Sequence, residues 1–351
     1  MSFFLKNIEK MSGYIPGEQP KDGVYIKLNT NENPYPPSAK VLDAIKEAVN
    51  STLRLYPDPV ATQARKKIAE VLGTRPERVL AGNGSDDLLT IIIRSFAGLG
   101  DKVVFPYPSY MLYQTLAELQ NGTPCAVDFN EDYSLPDNFI VKDAKVTFIA
   151  NPNSPSGTMI PPDKISKIAS KINGVLVVDE AYADFADDNC LRLTEKHNNV
   201  LVLRTLSKSY SLAGIRLGFC IANESLIQGM MKVKDSYNVD RLSMIAVVSS
   251  LEDQQNMRSN VEKIRKTRQY LTESLQNMGF FVYPSSANFV LARCKAGISA
   301  HDVYQTLKSR KILVRYFNLR RLDDCLRITI GTREEIDALL KNLQELVGAK
   351  V

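Results

Sequence analysis

Short apolar runs alternate with helix-like stretches through the middle of the chain, from residue 78 to residue 222. The runs are rich in Val, Ile and Phe and lack strict polar alternation, which is typical of strands buried on both faces. The predicted strands are Val79–Ala81, Val103–Phe105, Val146–Ala150, Val175–Asp179, Val200–Arg204 and Leu217–Ile221. The stretches between them open with Ser or Pro-Asp, which are helix-start signals. The predicted helices are Ser85–Phe96, Ser109–Gln120 and Pro162–Ile172. This alternation predicts a mostly parallel sheet covered by helices.

The pattern changes after about residue 240. Apolar residues with helical spacing from Val261 to Met278 predict a long amphipathic helix, with Arg268 as the exception in its apolar stripe and Gly279 at its end. The predicted strands that follow are Phe280–Tyr283, Asn288–Ala292, Ile312–Arg315 and Leu326–Ile330, and the predicted helices are His301–Ser309 and a last one from Arg333. This mixture is typical of a compact α+β domain. We predict an N-terminal arm over residues 1–35, a large domain over 36–245 and a small C-terminal domain over 246–351.

Composition and charge exclude several classes of protein. The 351 residues are 44% hydrophobic and 24% charged, which is ordinary for a globular chain of two domains. The net charge of +5 is small and no block of like charges occurs, so neither nucleic acid nor a membrane surface is a predicted partner. No apolar run approaches the roughly 18 residues of a membrane helix, and Met1–Lys6 does not resemble a secretory signal. We therefore expect a cytoplasmic protein.

Cysteine and histidine residues are too scattered to suggest a metal site. The five cysteines lie tens of residues apart, and neither His197 nor His301 has a ligand partner three to five residues away. Reduced thiols are expected, and a Ser-His-Asp hydrolase or a histidine-ligated metal is not.

Polar residues follow several predicted strands, at the edge of a parallel sheet where ligands bind. Gly82–Asp86 follows the first strand and leads into a helix N-terminus, which favours an anion. The loop Asn151–Gly157 follows another strand, Asp179 ends a third, and Lys208 and Arg216 come after a fourth. Each feature alone has an ordinary explanation: a tight turn, a salt-bridged acid or a solvated lysine.

Together these features have one economical explanation. An anion cradle, a strand-end acid, and a strand-end lysine with an arginine eight residues later match the needs of pyridoxal 5'-phosphate. That cofactor requires a phosphate site, an acid that keeps the pyridine nitrogen protonated and an amine for its aldehyde. The sequence therefore predicts pyridoxal 5'-phosphate as the cofactor.

The same motifs resemble those of the fold-type-I aminotransferases. The matching segments are Gly82–Asp86, Asn151–Gly157, Asp179–Tyr182 and Thr205–Gly218, of which the lysine motif is highly specific for the fold type. The chain is most similar to the histidinol-phosphate aminotransferase family through Asn29–Pro34, Tyr56–Asp58, Val314–Phe317 and Leu326–Thr332. The resemblance covers almost the whole chain. It implies an α/β protein whose large domain has a mostly parallel seven-stranded sheet, with a smaller α+β C-terminal domain.

Carried onto this sequence, the resemblance implies three catalytic residues. Lys208 would form a Schiff base with the cofactor and then shuttle a proton, Asp179 would pair with the pyridinium nitrogen, and Tyr182 would hydrogen-bond the ring hydroxyl. Tyr110 would stack on the ring, and Tyr56 would reach the cofactor phosphate of the partner subunit, which implies a homodimer with shared active sites. Further implied cofactor-binding residues are Gly84, Ser85, Ser207 and Arg216 at the phosphate, with Asp86 and Thr205.

One position departs from the family. Many relatives have Asn just before the Pro of the Asn-Pro-rich loop, where it contacts the ring hydroxyl. In this chain that residue is Ser154, with Asn153 beside it. Either Asn153 or Ser154 is therefore expected to make the contact.

The substrates implied by the resemblance are L-glutamate and imidazole-acetol phosphate. Arg327 and Arg315 are the candidates for binding their anionic groups, and Tyr14 and Asn33 are candidates for further substrate contacts. Arg327 lies in an apolar predicted strand, where a buried unpaired guanidinium would be hard to sustain. Arg320 and Arg321 lie in a polar loop, and we interpret them as surface arginines.

The leading hypothesis is a transaminase of histidine biosynthesis that makes L-histidinol phosphate and 2-oxoglutarate. A threonine-phosphate decarboxylase or an aromatic aminotransferase would share the fold and the cofactor. A non-catalytic regulator that senses pyridoxal phosphate is an alternative from another class. The chain has no basic DNA-binding extension and contains every catalytic group, which disfavours the regulator.

Overall fold

The computed structural model describes residues 2–13 and 16–348 and contains three sheets with helices around them. The strands are β1 (Ile26–Lys27), β2 (Val79–Gly82), β3 (Lys102–Tyr107), β4 (Thr123–Asp128), β5 (Val146–Ala150), β6 (Val175–Asp179), β7 (Val200–Thr205), β8 (Gly218–Ile221), β9 (Phe281–Val282), β10 (Phe289–Arg293), β11 (Ile312–Leu313), β12 (Arg315–Tyr316) and β13 (Cys325–Thr329). The helices are α1 (Lys6–Lys10), α2 (Ala39–Ala48), α3 (Thr62–Leu72), α4 (Gly84–Phe96), α5 (Leu112–Leu119), α6 (Pro162–Ala169), α7 (Leu193–Lys196), α8 (Glu224–Met231), α9 (Arg241–Glu252), α10 (Gln254–Asn277), α11 (Ala300–Ser309) and α12 (Arg333–Gly348). Within this described part of the chain, no helix combines the length and the apolar character needed to cross a membrane.

The central sheet has seven strands in the order β2-β8-β7-β6-β5-β3-β4. Neighbouring strands are parallel except around β8, which is antiparallel to both β2 and β7. The predicted mostly parallel seven-stranded sheet is thereby confirmed. The hydrophobic pattern misses β4, because this edge strand contains Pro124 and its side chains are only half-buried or exposed.

Consecutive residues of the central strands pack into different cores on the two faces of the sheet. In β6, Val177 packs with α4 and α5, whereas Val178 packs with α6 on the opposite face. Helices α2, α3 and α9 form another core over β2 and β8. Because helices cover both faces, apolar residues occupy consecutive strand positions, and this explains the absence of polar alternation in the sequence.

The C-terminal part of the chain forms a four-stranded antiparallel sheet in the order β12-β13-β10-β9, which packs against α10, α11 and α12. This confirms the predicted α+β arrangement. Arg268 in the apolar stripe of α10 donates from Nη1 to the main-chain oxygen of Ala287 at 2.7 Å, and burial lowers the pKa of Arg268 to about 10. The predicted strand Ile312–Arg315 is divided between two sheets, since β11 pairs with β1 and β12 pairs with β13.

The division into an arm, a large domain and a small domain stays a prediction at its boundaries. Residue 245 lies inside α9, a continuous helix that packs on α2 and α3. The structure therefore has no linker at that position.

A buried cluster of charged groups joins the ends of β6 and β7. Arg204 donates from Nε to Glu180 Oε2 at 2.8 Å and from Nη1 to Asp184 Oδ1 at 3.0 Å. The main-chain N–H of Cys190 donates to the other oxygen of Glu180, and the hydroxyl of Ser209 donates to the other oxygen of Asp184. Because buried charges are costly unless they are paired and hydrogen-bonded, this cluster fixes the segment after β6 against the segment after β7.

Candidate active site

A cavity of about 1020 Å³ opens at the carboxyl ends of β5, β6 and β7. This is the edge where ligands bind in open α/β sheets. The cavity also reaches the start of α4 and the C-terminal sheet, so residues distant in sequence line it together. The residues that line the cavity and that the sequence analysis predicted for the site are Ser85, Asp86, Tyr110, Ser154, Asp179, Tyr182, Thr205, Ser207, Lys208, Arg216, Arg315 and Arg327.

Lys208 lies deep in this cavity, three residues beyond the end of β7. Its Nζ donates to the main-chain oxygen of Thr30 at 3.3 Å and lies 5.8 Å from the centre of the Tyr182 ring. Burial of the side chain lowers its pKa to about 8, with a smaller contribution from repulsion by Arg327. At pH 7 about a tenth of Lys208 is therefore an uncharged amine, the nucleophilic form, which is far more than for an ordinary lysine with a pKa of about 10.4.

Asp179 is the last residue of β6 and is buried. Its Oδ2 accepts a hydrogen bond from the hydroxyl of Tyr113 at 2.8 Å, and its Oδ1 accepts one from the main-chain N–H of Ala181 at 3.2 Å. Burial raises the pKa of Asp179 to about 6, although both hydrogen bonds act in the opposite direction. The site thus contains a carboxylate that needs a cationic or donor partner to remain charged.

Tyr182 follows β6 and faces the same cavity. Its hydroxyl accepts a hydrogen bond from Nδ2 of Asn31 at 2.9 Å, and its ring packs edge-on against Phe289 at 5.0 Å. Burial raises the pKa of Tyr182, while the positive charge of Arg327 opposes the rise. The phenol is therefore a neutral hydrogen-bonding group at physiological pH.

The first turn of α4 forms an anion cradle. Gly84 has a φ of +81°, and a Cβ there would come within 2.6 Å of Nη2 of Arg216. Ser85 follows in the same turn, where free N–H groups and the helix dipole favour a negative charge. Thr205 donates its hydroxyl to Ser207 at 3.0 Å beside this turn. Backbone N–H groups, a guanidinium and hydroxyls thus meet at one end of the cavity, and the absence of a Cβ at Gly84 allows the guanidinium to approach this closely.

Asp86 and Tyr110 form the rim of this cradle. The hydroxyl of Tyr110 donates to Asp86 Oδ1 at 3.1 Å, and Nη2 of Arg216 lies 3.4 Å from Asp86 Oδ2. The three side chains line the cavity together, as the sequence motifs predict.

Ser154 and Asn153 have different surroundings. Ser154 lines the cavity, and its hydroxyl accepts a hydrogen bond from Nη1 of Arg327 at 3.3 Å. Nδ2 of Asn153 instead donates to Ser156 Oγ at 2.8 Å and to the main-chain oxygen of Pro108 at 3.3 Å. Asn153 thus stabilises the loop, and Ser154 is the residue of the pair that faces the cavity.

Two arginines lie at the side of the cavity formed by the C-terminal sheet. Arg327 on β13 donates from Nη2 to the main-chain oxygen of Asn29 at 2.9 Å, and Arg315 on β12 donates to the main-chain oxygen of Pro16 at 3.2 Å. Both guanidinium groups lie over the ring of Phe317, at 5.4 Å and 5.2 Å respectively. Two cations and an aromatic wall therefore face the same space.

Besides Gly84 and Asn153, two predicted site residues, Tyr56 and Asn33, do not line this cavity. The side chain of Tyr56 is 79% exposed and stacks on Tyr237 at 4.6 Å. Asn33 donates from Nδ2 to the main-chain oxygens of Lys208 at 3.0 Å and Ser209 at 3.2 Å, so it supports the lysine segment. Tyr14 lies outside the described residues. The roles of these residues stay predictions.

The sequence interpretation missed several residues that shape the site. Asn31 contacts Tyr182 from a segment that the family resemblance had marked, but Tyr113 carries no signal beyond its place three residues after Tyr110. Arg320 also does more than occupy the surface, because its guanidinium makes a two-pronged contact with Asp128 at 2.6 Å and 2.7 Å.

This contact pins the segment of residues 317–322, which supplies Phe317, Leu319 and Leu322 to the cavity wall. Arg321 adds hydrogen bonds to the main-chain oxygens of Phe129 and Asn130.

Among the described residues, no cluster of His, Cys, Asp or Glu is arranged to hold a metal ion.

Comparison with known proteins agrees with this geometry. The profile of the family described as aminotransferase class I and II matches residues 24–343. Histidinol-phosphate aminotransferase 1 from Nostoc sp. is 46% identical, and the alignment covers 99% of each chain. Histidinol-phosphate aminotransferase from Rhodopirellula baltica is 47% identical over 95% of this chain and 92% of its own.

A solved structure has the same overall fold. It is the histidinol-phosphate aminotransferase from Sinorhizobium meliloti in complex with pyridoxal-5'-phosphate. The two chains superpose with a TM-score of 0.91 at 26% identity, covering 100% of this chain and 99% of the other. Fold, cavity and family profile define the class as a class I and II aminotransferase. Within that class, the chain belongs to the histidinol-phosphate aminotransferase family.

The lowered pKa of Lys208 predicts an unusually reactive amine in the cofactor-free protein. Acetylation with acetic anhydride, followed by peptide mass spectrometry, should give a labelling midpoint for Lys208 near pH 8, because burial favours its neutral form. Lys102 is the control, since its ion pair with Asp143 at 2.6 Å raises its pKa. A midpoint for Lys208 at or above that of Lys102 would contradict the prediction.

Proposed function

We propose that this chain catalyses the transamination of imidazole-acetol phosphate with L-glutamate, giving L-histidinol phosphate and 2-oxoglutarate in histidine biosynthesis. The observation that carries this proposal is the arrangement of one cavity, with Lys208 and Asp179 at its base, the Gly84 cradle at one end and Arg327 with Arg315 beside them. The names of relatives that are 46% and 47% identical over nearly the whole chain support the same reaction.

Pyridoxal 5'-phosphate is the cofactor, and the residues present fit it. The first turn of α4 suits a phosphate, because the missing Cβ at Gly84 lets the guanidinium of Arg216 approach the N–H groups of that turn. The buried carboxylate of Asp179 suits a protonated ring nitrogen, and the amine of Lys208 suits an aldehyde. When bound, the cofactor supplies an aldehyde that condenses with amines and a protonated ring that withdraws electrons from the carbon bearing the amino group.

Lys208 has two tasks in this proposal. Its Nζ would bind the aldehyde carbon of the cofactor, which its lowered pKa favours because a neutral amine is required. As a free amine, the same Nζ would accept a proton from the substrate carbon and donate it again on the cofactor side. The hydrogen bond from Nζ to the oxygen of Thr30 shows that the free amine has a resting partner in the cavity.

The remaining groups bind and orient the ring. Asp179 keeps the ring nitrogen protonated through its negative charge. Tyr182 and Ser154 line the cavity and would bind the ring hydroxyl, Tyr110 would pack on the ring, and the hydroxyls of Thr205 and Ser207 would join the phosphate cradle. The first-turn N–H groups of α4 complete that cradle.

Substrate recognition rests on the two arginines. Both substrates carry anionic groups, a carboxylate or a phosphate, which a planar guanidinium binds with paired hydrogen bonds. Arg327 is oriented by Ser154 and the oxygen of Asn29, and the guanidinium of Arg315 lies 5.2 Å from the centre of the Phe317 ring. Phe317 lines the same cavity, and its apolar ring suits the planar side chain of the acceptor.

A homodimer is part of this proposal. Tyr56 does not line the cavity of its own chain, and it lies on an exposed surface with the apolar side chains of Leu53, Leu55 and Val49. A cluster of exposed apolar side chains favours a protein–protein interface. In the dimer Tyr56 reaches the cofactor phosphate of the partner subunit. A cytoplasmic location stays a prediction.

The proposal predicts a specific activity that depends on Lys208. The purified protein should be yellow with pyridoxal 5'-phosphate, and it should convert L-histidinol phosphate and 2-oxoglutarate to products in a coupled assay. Lys208→Ala should abolish turnover, because no other residue is proposed to hold and move the proton. Turnover of only threonine phosphate or only aromatic amino acids would assign one of the alternative reactions instead.

Arg327→Ala tests the proposed anion site. Hydrogen bonds to charged groups contribute roughly 1.5–3 kcal/mol, so kcat/KM should fall about ten-fold to a few hundred-fold for glutamate and for histidinol phosphate alike. Arg310→Ala is the control, because Arg310 pairs with Glu345 at 2.7 Å outside the cavity. Unchanged kcat/KM values for both substrates would remove Arg327 from the substrate site.

Mixed dimers test the proposed contribution of Tyr56 to the partner site. Tyr56→Ala should lower activity about ten-fold or more, and Lys208→Ala should be inactive. A mixed dimer of these variants contains one site with both residues intact, so random exchange should restore about a quarter of the original activity. If the subunits exchange and activity remains at the average of the two variants, Tyr56 does not act across the interface.

A further inference from the structure

Tyr113 is a fully buried tyrosine directly behind the cavity. It lies on α5, and its ring stacks on Phe148 with centroids 4.5 Å apart and an interplanar angle of 3°. The ring of Tyr110 meets it edge-on at 5.6 Å. Tyr113 does not line the cavity, so it cannot touch a ligand there. Its ring packing leaves the hydroxyl in one direction, toward β6.

That hydroxyl donates to Oδ2 of Asp179 at 2.8 Å. The other oxygen, Oδ1, receives the main-chain N–H of Ala181 at 3.2 Å. The main-chain donor is present whatever the side chains are, whereas the bond from Tyr113 depends on one oxygen atom. A Tyr→Phe change therefore removes one donor from the carboxylate and keeps the ring packing.

We propose that Tyr113 is a positioning residue for the transaminase reaction: its buried hydroxyl keeps the Asp179 carboxylate charged and aimed at the ring nitrogen of the cofactor. The inference rests on the proposed function, because Asp179 acts only through that nitrogen. Tyr113 is itself a durable donor, since burial and the charge of Asp179 raise its pKa well above the ordinary value.

Electrostatics around Asp179 explain why a donor is needed. Burial is the largest cause that raises its pKa, and the negative charges of Asp86 on α4 and Glu180 at the end of β6 add to it. The hydrogen bond from Tyr113 is the largest effect in the opposite direction. Tyr110 and Tyr182 are uncharged neighbours, and Lys208 after β7 lines the same cavity. Without the hydroxyl, the pKa of Asp179 should rise further.

The hydrogen bond predicts a direction for the pH dependence of cofactor binding in Y113F that a general packing defect would not produce. At high pH, Asp179 is charged in both the free and the loaded protein, so loss of the hydroxyl costs both states equally and binding changes little. At low pH, Asp179 of the free protein is protonated and must lose its proton on binding, which is harder without the Tyr113 donor. The penalty in Y113F should therefore grow as the pH falls.

The test measures the Kd of pyridoxamine 5'-phosphate for the cofactor-free protein by fluorescence titration. This probe has the ring and the phosphate but no aldehyde, so it cannot condense with Lys208. The ratio of Kd in Y113F to Kd in the original protein should be near one at about pH 8.5 and reach about ten-fold or more at about pH 5.5. Titration of the probe's own phosphate cancels in this ratio. In the loaded enzyme, kcat should fall more than KM changes.

Two controls separate this role from loss of a tyrosine–carboxylate hydrogen bond elsewhere and from effects that do not act through Asp179. Tyr270 also donates its hydroxyl to a carboxylate at 2.8 Å, that of Asp337, away from the cavity, so Y270F should give a ratio near one at every pH. In D179N, adding Y113F should produce no pH-dependent penalty, because the titrating group is gone. Thermal unfolding at about pH 8.5 checks that each variant is folded.

The possible outcomes are distinct. A ratio that is the same at all pH values in folded Y113F would overturn the inference while leaving the proposed function intact. A penalty that persists in the D179N background would also overturn it, since Tyr113 would then act through another group. Failure of the original protein to bind the probe at any pH would overturn the proposed function and this inference with it.

Discussion

The burial of two ionisable groups at one edge of the sheet is the constraint on which the site depends. Asp179 and Lys208 lie at the base of the same cavity, and burial shifts the pKa of each toward its uncharged form, to about 6 and about 8. A buried carboxyl group or amine destabilises a folded core unless it has hydrogen-bonding or charged partners. Hydrogen bonds from Tyr113 and Ala181 offset the cost at the carboxylate, and the oxygen of Thr30 receives the amine. The cavity is therefore prepared for a ligand that supplies a cation to one group and an electrophile to the other.

The parallel strands and the buried ion cluster set the distance between these two groups. β6 and β7 run side by side, so the residues that follow them emerge at the same edge. Side chains alternate along each strand, which directs Asp179 to the cavity and its neighbour Glu180 to the opposite side. There Arg204 ties Glu180 to Asp184, and Asp184 accepts from Ser209, the residue after Lys208. The ion cluster of Arg204, Glu180 and Asp184 thereby fixes the positions of Asp179 and Lys208, which face the cavity.

The rest of the cavity is assembled from segments that are far apart along the chain. The first turn of α4 supplies glycine and helix N–H groups beside Arg216, whereas the C-terminal sheet supplies two arginines near one aromatic ring. The segment that carries this ring is held to the end of β4 by the contact of Arg320 with Asp128. A bidentate contact between planar groups restrains orientation more than a single ion pair does. The shape of the cavity wall thus depends on contacts between the C-terminal segment and the central sheet as well as on the lining residues.

The amino-acid sequence by itself determined which central segments form buried strands, the positions of Lys208 and Asp179 after or at strand ends, and the glycine-led turn at the start of α4. These features are local, because strand burial and helix starts are written in neighbouring residues. Only the tertiary structure decided that Ser154 rather than Asn153 faces the cavity, since contacts with Pro108 and Ser156 turn the asparagine away. It also decided the partnership of Tyr113 with Asp179, because that hydrogen bond joins residues 66 positions apart that no local pattern relates. Side-chain direction in a loop and pairing between distant elements follow from the packing of the whole chain, and a sequence pattern does not contain them.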